Sequence, residues 1–127
     1  MKKLLFAMAL LSLSLGVASA DKSIYDFKLK DVKGKVIKID SFKGKPLMIV
    51  NIATRCGYTG QLDDIEKLYK KYKSKGLTVI GVPSNDFGGQ TPEDDKKIAD
   101  FCRLNYNVTF PLVSKTPVTG KSSHPFM

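Results

Sequence analysis

The sequence contains no tryptophan, one histidine (His124) and two cysteines, Cys56 and Cys102. A structural zinc site typically takes about four His or Cys ligands, so these three side chains are too few for one. Neither a Gly-rich phosphate loop nor a dinucleotide-binding fingerprint occurs in the chain. We therefore expect no cofactor, and the two cysteines are the first residues to consider for any chemistry.

Arginine is also scarce, since only Arg55 and Arg103 are present, although the formal net charge is +9. Lysines are densest in KLYKKYKSK, residues 67–75. A basic stripe of this kind can bind nucleic acid or a membrane surface. The arginine cluster and stacking aromatic motif typical of nucleic-acid binding are missing. We interpret the stripe as a solvated helix face and expect no nucleic-acid partner.

The first 20 residues have the three parts of a secretory signal. Two lysines follow the first methionine, residues 4–15 form an apolar stretch, and Ala-Ser-Ala ends at Ala20. A bilayer span needs about 20 apolar residues, so an uncleaved membrane anchor is the weaker alternative. We predict a signal peptide (1–20) and one domain (21–127) that is periplasmic or secreted, with a net charge of +7 once Lys2 and Lys3 are removed.

The first half of the domain predicts a hairpin followed by a βαβ unit. Apolar residues lie on both sides of a polar turn at Gly34, within residues 24–39. Residues 47–53, LMIVNIA, form an apolar run typical of a strand buried on both faces. Residues 62–72 have helical periodicity and end near Gly76, and residues 77–82 form a second apolar strand. Strand, helix and strand at this spacing predict two parallel strands.

The second half predicts one more helix and one more short strand. Thr91 is placed to cap the helix, with Pro92 at its first position. Residues 109–115, TFPLVSK, predict the strand. The whole pattern is α/β.

Cys56 follows the first buried strand by three residues and precedes a helix. In open parallel sheets, chemistry gathers beyond the carboxyl ends of the strands. Unpaired N–H groups at a helix start stabilise a thiolate, and Arg55 can add to this effect if its side chain turns toward the sulfur. A thiolate attacks a peroxide O–O bond and becomes a sulfenic acid, which a second thiol can convert to a disulfide.

Two plainer interpretations remain open from the residues alone. An exported protein with two cysteines often carries a stapling disulfide. Cys102, on an amphipathic helix, can instead pack as a small hydrophobe.

The stretch NIATRCGYT, residues 51–59, together with residues 62–90 and 98–115, closely resembles the glutathione peroxidase family. The resemblance covers about residues 23–125. It implies a thioredoxin-like fold of three α/β/α layers and a peroxidase activity. It also implies that Cys56 is the peroxidatic residue, that Gln90 hydrogen-bonds the reacting sulfur, and that Cys102 is the resolving cysteine of the thioredoxin-dependent branch. Without the resemblance, Gln90 is a loop glutamine bonded to backbone.

Three departures from the family pattern bear on these expectations. Asp86 stands where the family usually has glutamine, and it either lies near the site or faces solvent. Gly60 replaces a frequent proline and should loosen the helix start. The family's Trp-Asn-Phe motif is absent, so the domain is expected to be C-terminally truncated, with an exposed edge on LMIVNIA. We accordingly predict poor stability or a homo-oligomer.

The expected function is a thiol peroxidase that reduces hydrogen peroxide or organic hydroperoxides and is re-reduced by a thioredoxin-like protein or glutathione. One rival is a redox sensor or interaction domain without turnover. Another is a thiol–disulfide exchanger, although Thr59 stands where a Cys-x-x-Cys motif has its second cysteine. His124 is expected at the surface and not as a base for Cys56, and no stable membrane insertion is expected.

Overall fold

A short antiparallel hairpin lies near the start of the residues that the structure describes. The computed structural model describes residues 22–127, so the predicted signal peptide lies outside the described residues. Strand β1 (Lys28–Lys30) pairs antiparallel with β2 (Val36–Lys38). Gly34 makes the turn at a φ of 81°, which favours glycine. The predicted hairpin is confirmed, and it is flanked by two short 3-10 helices, Ile24–Asp26 and Ile39–Phe42.

The predicted βαβ unit is also confirmed. Strand β3 (Leu47–Ile52) leads to helix α1 (Gln61–Tyr72), a 3-10 turn (Lys73–Lys75) and strand β4 (Thr78–Pro83). The two strands are parallel along their full length. Gly76, at a φ of 98°, ends the helical segment in the left-handed conformation expected of a C-terminal cap.

Strand β3 is less buried than its sequence predicts. Only its last residue, Ile52, is buried, whereas residues 47–50 are half-buried. In β4, by contrast, residues 79–83 are all buried. The difference arises because β4 has β3 on one side and a bridge from Gly81 to Leu112 on the other, while β3 has no second partner strand among the described residues. An apolar run shows that a strand can be buried on both faces. The extent of its burial depends on the elements that pack beside it.

The predicted strand at residues 109–115 is wrong in its extent. The structure contains only two isolated bridges there, Gly81 with Leu112 and Asp31 with Val113. The segment divides its hydrogen bonds between β4 and the hairpin, so no continuous ladder forms. A Cβ added at Gly81 would lie 2.6 Å from a Leu112 methyl carbon, so glycine permits this close approach.

Helix α2 (Asp95–Tyr106) begins later than predicted. Its cap is Asp94, whose carboxylate accepts the Lys97 N–H at 2.9 Å. Thr91 is fully buried and belongs to the preceding loop, so the predicted Thr91 cap is wrong. An aspartate cap and a threonine cap satisfy the same free N–H groups, and the sequence offers both within four residues.

Two apolar clusters lie on opposite faces of the β3–β4 sheet. Alternation along β4 sends Val79 to the helix side and Ile80 and Val82 to the hairpin side. The helix-side cluster consists of Ile52, Leu62, Val79, Ile98, Cys102, Val108, Phe110 and Leu112. None of the helices within residues 22–127 has the length and apolar character that crossing a bilayer requires.

Candidate active site

Cys56 lies in the loop between β3 and α1 and is partly exposed. The Tyr58 N–H donates to its Sγ at 3.5 Å. Thr59 holds the loop from inside, because its Oγ1 accepts the Cys56 N–H at 3.0 Å and donates to the Ala53 carbonyl at 2.9 Å. The sulfur therefore lies at a fixed turn with one backbone amide directed at it.

The turn that carries Cys56 continues into α1. Successive i to i+3 bonds join the Cys56 carbonyl to Thr59, the Tyr58 carbonyl to Gln61 and the Thr59 carbonyl to Leu62. This is the pattern of a tightened first turn. The predicted position of Cys56, after a strand and just before a helix, is confirmed.

Cys56 and Gln90 line the same pocket, which has a volume of about 300 Å³. The pocket walls are mainly apolar and include Val50, Ile52, Leu62, Ile65 and Phe87. Gly88 and Gly89, with φ of 61° and 67°, turn the loop that brings Gln90 to the pocket. The structure thus brings together two residues that are 34 positions apart in the sequence.

A hydrogen-bond network ties the Cys56 loop to the Gln90 loop. The Arg55 N–H donates to the Gln90 carbonyl at 2.9 Å. Glu93 accepts from Arg55 Nε at 2.7 Å and from Thr54 Oγ1 at 2.6 Å. Burial opposes ionisation of Glu93, but the bonds from Thr54 and Arg55 prevail and lower the pKa of its carboxyl.

This network was not foreseen in the sequence. Glu93 directly precedes the helix cap Asp94 and lies outside α2. Arg55 bonds to Glu93 instead of contributing freely to the environment of Cys56. A charge pair separated by 38 residues has no local pattern, so only the folded loops reveal it.

Cys102 does not line the pocket. Its side chain is 0% exposed and packs in the helix-side cluster with Ile52 and Leu62, two residues that also form pocket walls. Burial raises the pKa of the Cys102 thiol to about 11. Both cysteines are free, so the stapling-disulfide interpretation does not describe this structure.

Asp86 is hydrogen-bonded to the last part of the chain. Its carboxylate accepts the N–H groups of Val118 and Thr119 at 2.6 and 2.9 Å, and these bonds lower its pKa. Asp86 is not among the residues that line the pocket. Of the two positions open to it from the sequence, the structure favours the exposed surface, with a structural role in holding the tail.

His124 is only half-exposed and stacks edge-on against Phe27 and Phe126, at centroid distances of 5.8 and 4.5 Å. Burial in this cluster lowers its pKa. His124 thus lies at the surface, as predicted, but Phe27 and Phe126 cover part of its ring. Among residues 22–127, no group of three or more His, Cys, Asp or Glu side chains is arranged to hold a metal ion.

The glutathione peroxidase family model matches residues 24–127, so the chain belongs to the glutathione peroxidase family. The chain is 48% identical over 101 residues to the glutathione peroxidase-like peroxiredoxin 2 of Saccharomyces cerevisiae, covering 80% of this chain and 62% of that protein. It is 46% identical over 103 residues to the glutathione peroxidase homolog BsaA of Bacillus subtilis, covering 81% and 64%. The chain thus spans somewhat less than two thirds of the length of these curated relatives.

Solved structures place the fold in the thioredoxin-like class. The crystal structure of T. cruzi GPX1 superposes with a TM-score of 0.63 at 37% identity, covering 83% of this chain and 62% of that one. A thiol:disulfide interchange protein of the thioredoxin family from Chlorobium tepidum superposes with a TM-score of 0.57 at 23% identity, covering 71% of this chain and 57% of that one. At this level of identity the similarity shows the fold alone. The expected α/β class and thioredoxin-like fold are confirmed.

Proposed function

We propose that this chain is a thiol peroxidase that reduces hydrogen peroxide or organic hydroperoxides. The observation that carries the proposal is the shared pocket of Cys56 and Gln90, in a member of the glutathione peroxidase family. The Cys56 thiolate attacks one peroxide oxygen, an S–O bond forms and the O–O bond breaks. Water or an alcohol leaves after it takes up a proton, and the sulfur, oxidised by two electrons, becomes a sulfenic acid.

Gln90 supplies an amide donor at the reacting sulfur. Its N–H groups can stabilise the thiolate before the attack and the charge that develops on oxygen during it. The apolar walls of the pocket strengthen such a bond, because they exclude water from the site. The Tyr58 N–H is a second donor, already directed at Sγ.

Cys102 is the proposed resolving residue. Its thiol attacks the sulfenic sulfur of Cys56, a disulfide forms and water is released. Because Cys102 is fully buried on α2, this step requires α2 to loosen from the helix-side cluster. A thioredoxin-like protein or glutathione then reduces the disulfide. The similarity to a glutathione peroxidase-like peroxiredoxin of yeast supports a thiol reductant.

The burial of Cys102 also favours one alternative, a redox sensor that is oxidised once and does not turn over. A thiol–disulfide exchanger is less well supported. Thr59, at the second position of a Cys-x-x-Cys motif, bonds Ala53 and Cys56 and has a structural role.

Peroxide consumption in the presence of a thioredoxin-like donor separates these functions. The proposed peroxidase consumes many equivalents of peroxide per chain, whereas a sensor consumes one. An exchanger reduces disulfide substrates instead. The Cys56→Ser variant is the control and should consume none. A wild-type chain that consumes no peroxide would contradict the proposal.

We further propose that the chain acts outside the cytoplasm after removal of residues 1–20, on the basis of the signal-like sequence. One edge of β3 has no partner strand within residues 22–127, and this edge supports self-association. Size measurement of the exported chain tests the cleavage after Ala20, and sedimentation tests the oligomeric state.

A further inference from the structure

We propose that Glu93 is a positioning residue that holds the Cys56 loop against the Gln90 loop, an inference that rests on the proposed peroxidase function. Its side chain is 19% exposed. One carboxylate oxygen accepts from Arg55 Nε and the other from Thr54 Oγ1. These two donors belong to the residues that directly precede Cys56.

The two loops are also joined through their backbones. The Arg55 N–H donates to the Gln90 carbonyl at 2.9 Å. Together with the two bonds of Glu93, this bond connects Thr54 and Arg55 with the segment 90–93. Thr54 and Arg55 directly precede Cys56, and Glu93 follows Gln90 by three positions. A shift in these bonds therefore changes the geometry of the pocket.

The charge of Glu93 decides where the Thr54 hydroxyl proton points. Thr54 Oγ1 lies 2.6 Å from Glu93 Oε2 and 3.2 Å from the Gln90 carbonyl. A hydroxyl has one proton, and the nearer, charged oxygen is the stronger acceptor. A neutral amide at position 93 presents an NH₂ group as well as one oxygen, and it cannot accept from both donors as two carboxylate oxygens do.

Lys115 holds the backbone beneath Glu93 independently of the carboxylate. Its Nζ donates to the carbonyls of Glu93 and Thr91 at 2.7 and 3.3 Å. The backbone N–H of Lys115 donates to the Asp95 carboxylate at 2.7 Å. Replacing the Glu93 carboxylate therefore removes the contacts to the Cys56 loop while the segment 91–95 keeps its own anchor.

The consequence is selective for the peroxide reaction. Oxidation by peroxide uses both the sulfur of Cys56 and the amide of Gln90, whereas alkylation by iodoacetamide uses an accessible sulfur alone. Misplacement of a reacting group by about 1 Å can cost about a hundredfold in rate. We expect Glu93→Gln to slow the oxidation of Cys56 by hydrogen peroxide roughly tenfold or more, and to change its alkylation rate much less.

The test compares variants of the full chain by timed quenching and mass spectrometry of residue 56. Glu93→Gln and Thr54→Val should both slow oxidation, and Thr54→Ser, which keeps the hydroxyl, should restore most of the rate. Asp100→Asn is the matched control, since Asp100 also pairs with cations, at 2.9 Å from Lys96 and 3.4 Å from Arg103, and neither partner lines the Cys56 pocket. It should leave the oxidation rate unchanged.

Hydrogen exchange of the Arg55 amide provides a second readout that does not depend on activity. Glu93→Gln should raise its exchange rate, because the bond to the Gln90 carbonyl loses its neighbouring support. Unchanged oxidation and unchanged exchange in Glu93→Gln would overturn the positioning role, as would equal losses of oxidation and alkylation. If the wild-type Cys56 resists peroxide, the proposed function fails, and the Arg55 exchange rate still decides whether Glu93 holds the two loops.

Discussion

The two cysteines lie in regions that are held together in different ways. Cys56 lies in loops joined by charged and polar side chains around Glu93, at the rim of a pocket. The Cys102 side chain is packed in an apolar cluster of buried residues. The first environment exposes a sulfur to a small oxidant, and the second protects one. The difference assigns an order to the proposed chemistry: Cys56 reacts first, and Cys102 reacts only after α2 moves.

The largest effect that tests this comparison is a difference in alkylation. Iodoacetamide should modify Cys56 at least about 100-fold faster than Cys102 in the native chain, because a buried thiol reacts only through opening of the fold. Peptide mass spectrometry after timed quenching measures both rates. The rates should converge in denaturant, which is the control. Similar native rates would remove the distinction between the two regions.

Substitution at Cys102 should be more costly than the same substitution at Cys56. Cys102→Ser places a hydroxyl in an apolar cluster, which we expect to lower the free energy of unfolding by about 1–3 kcal/mol. Cys102→Ala leaves only a small cavity and should cost less than Cys102→Ser. Cys56→Ser, at the partly exposed rim, should change stability by less than about 0.5 kcal/mol. Denaturant titration measures the unfolding free energy of all three variants. Equal destabilisation by Cys56→Ser and Cys102→Ser would contradict the assignment of Cys102 to the core.

Alkaline pH should weaken the Cys102 region. The folded-state pKa of Cys102 is about 11, whereas an unfolded cysteine titrates near about 8.5. Above that value the unfolded chain releases a proton that the folded chain keeps, so stability falls as pH rises, on the order of 1 kcal/mol by about pH 9.5. Cys102→Ala should lose this part of the pH dependence. An identical alkaline slope in the two proteins would show that Cys102 is not desolvated.

Acid should weaken the Cys56 region instead, by a smaller amount. The pKa of Glu93 is lowered in the folded state, so its contribution is present above the unfolded value near about 4.3 and is lost as pH falls through the folded value. The difference in unfolding free energy between wild type and Glu93→Gln, followed from neutral to acid pH, should shrink. A difference that stays constant would mean that Glu93 is not ionised in its network.

The sequence predicted those features that depend on local pattern. Strand β3, helix α1, Gly76 and the turn that carries Cys56 follow from apolar periodicity, a cap and a helix start, each read within a few residues. The same reasoning was wrong at Thr91 and did not predict the ring contacts of His124. At Thr91 two capping residues competed, and at His124 the contacts came from Phe27, far away in the chain.

The candidate site was predictable only in part for a related reason. Cys56 has a local signature, whereas Gln90 entered through resemblance to a family, and its place in the Cys56 pocket depends on how two loops meet. Glu93 had neither signal. Its role depends on Arg55 and Thr54, which are close in space but almost 40 residues away in the chain. Burial of Cys102 agrees with the apolar face of α2, but only the structure shows that it excludes the thiol from the pocket.

One measurement tests the central claim most directly: mass spectrometry of the chain after one equivalent of hydrogen peroxide, with a sulfenic-acid trap in a parallel sample. We predict a trapped sulfenic acid on Cys56 at early times and a Cys56–Cys102 disulfide later, with only the sulfenic acid in Cys102→Ala. Oxidation that begins at Cys102, or that leaves Cys56 unmodified, would contradict the account.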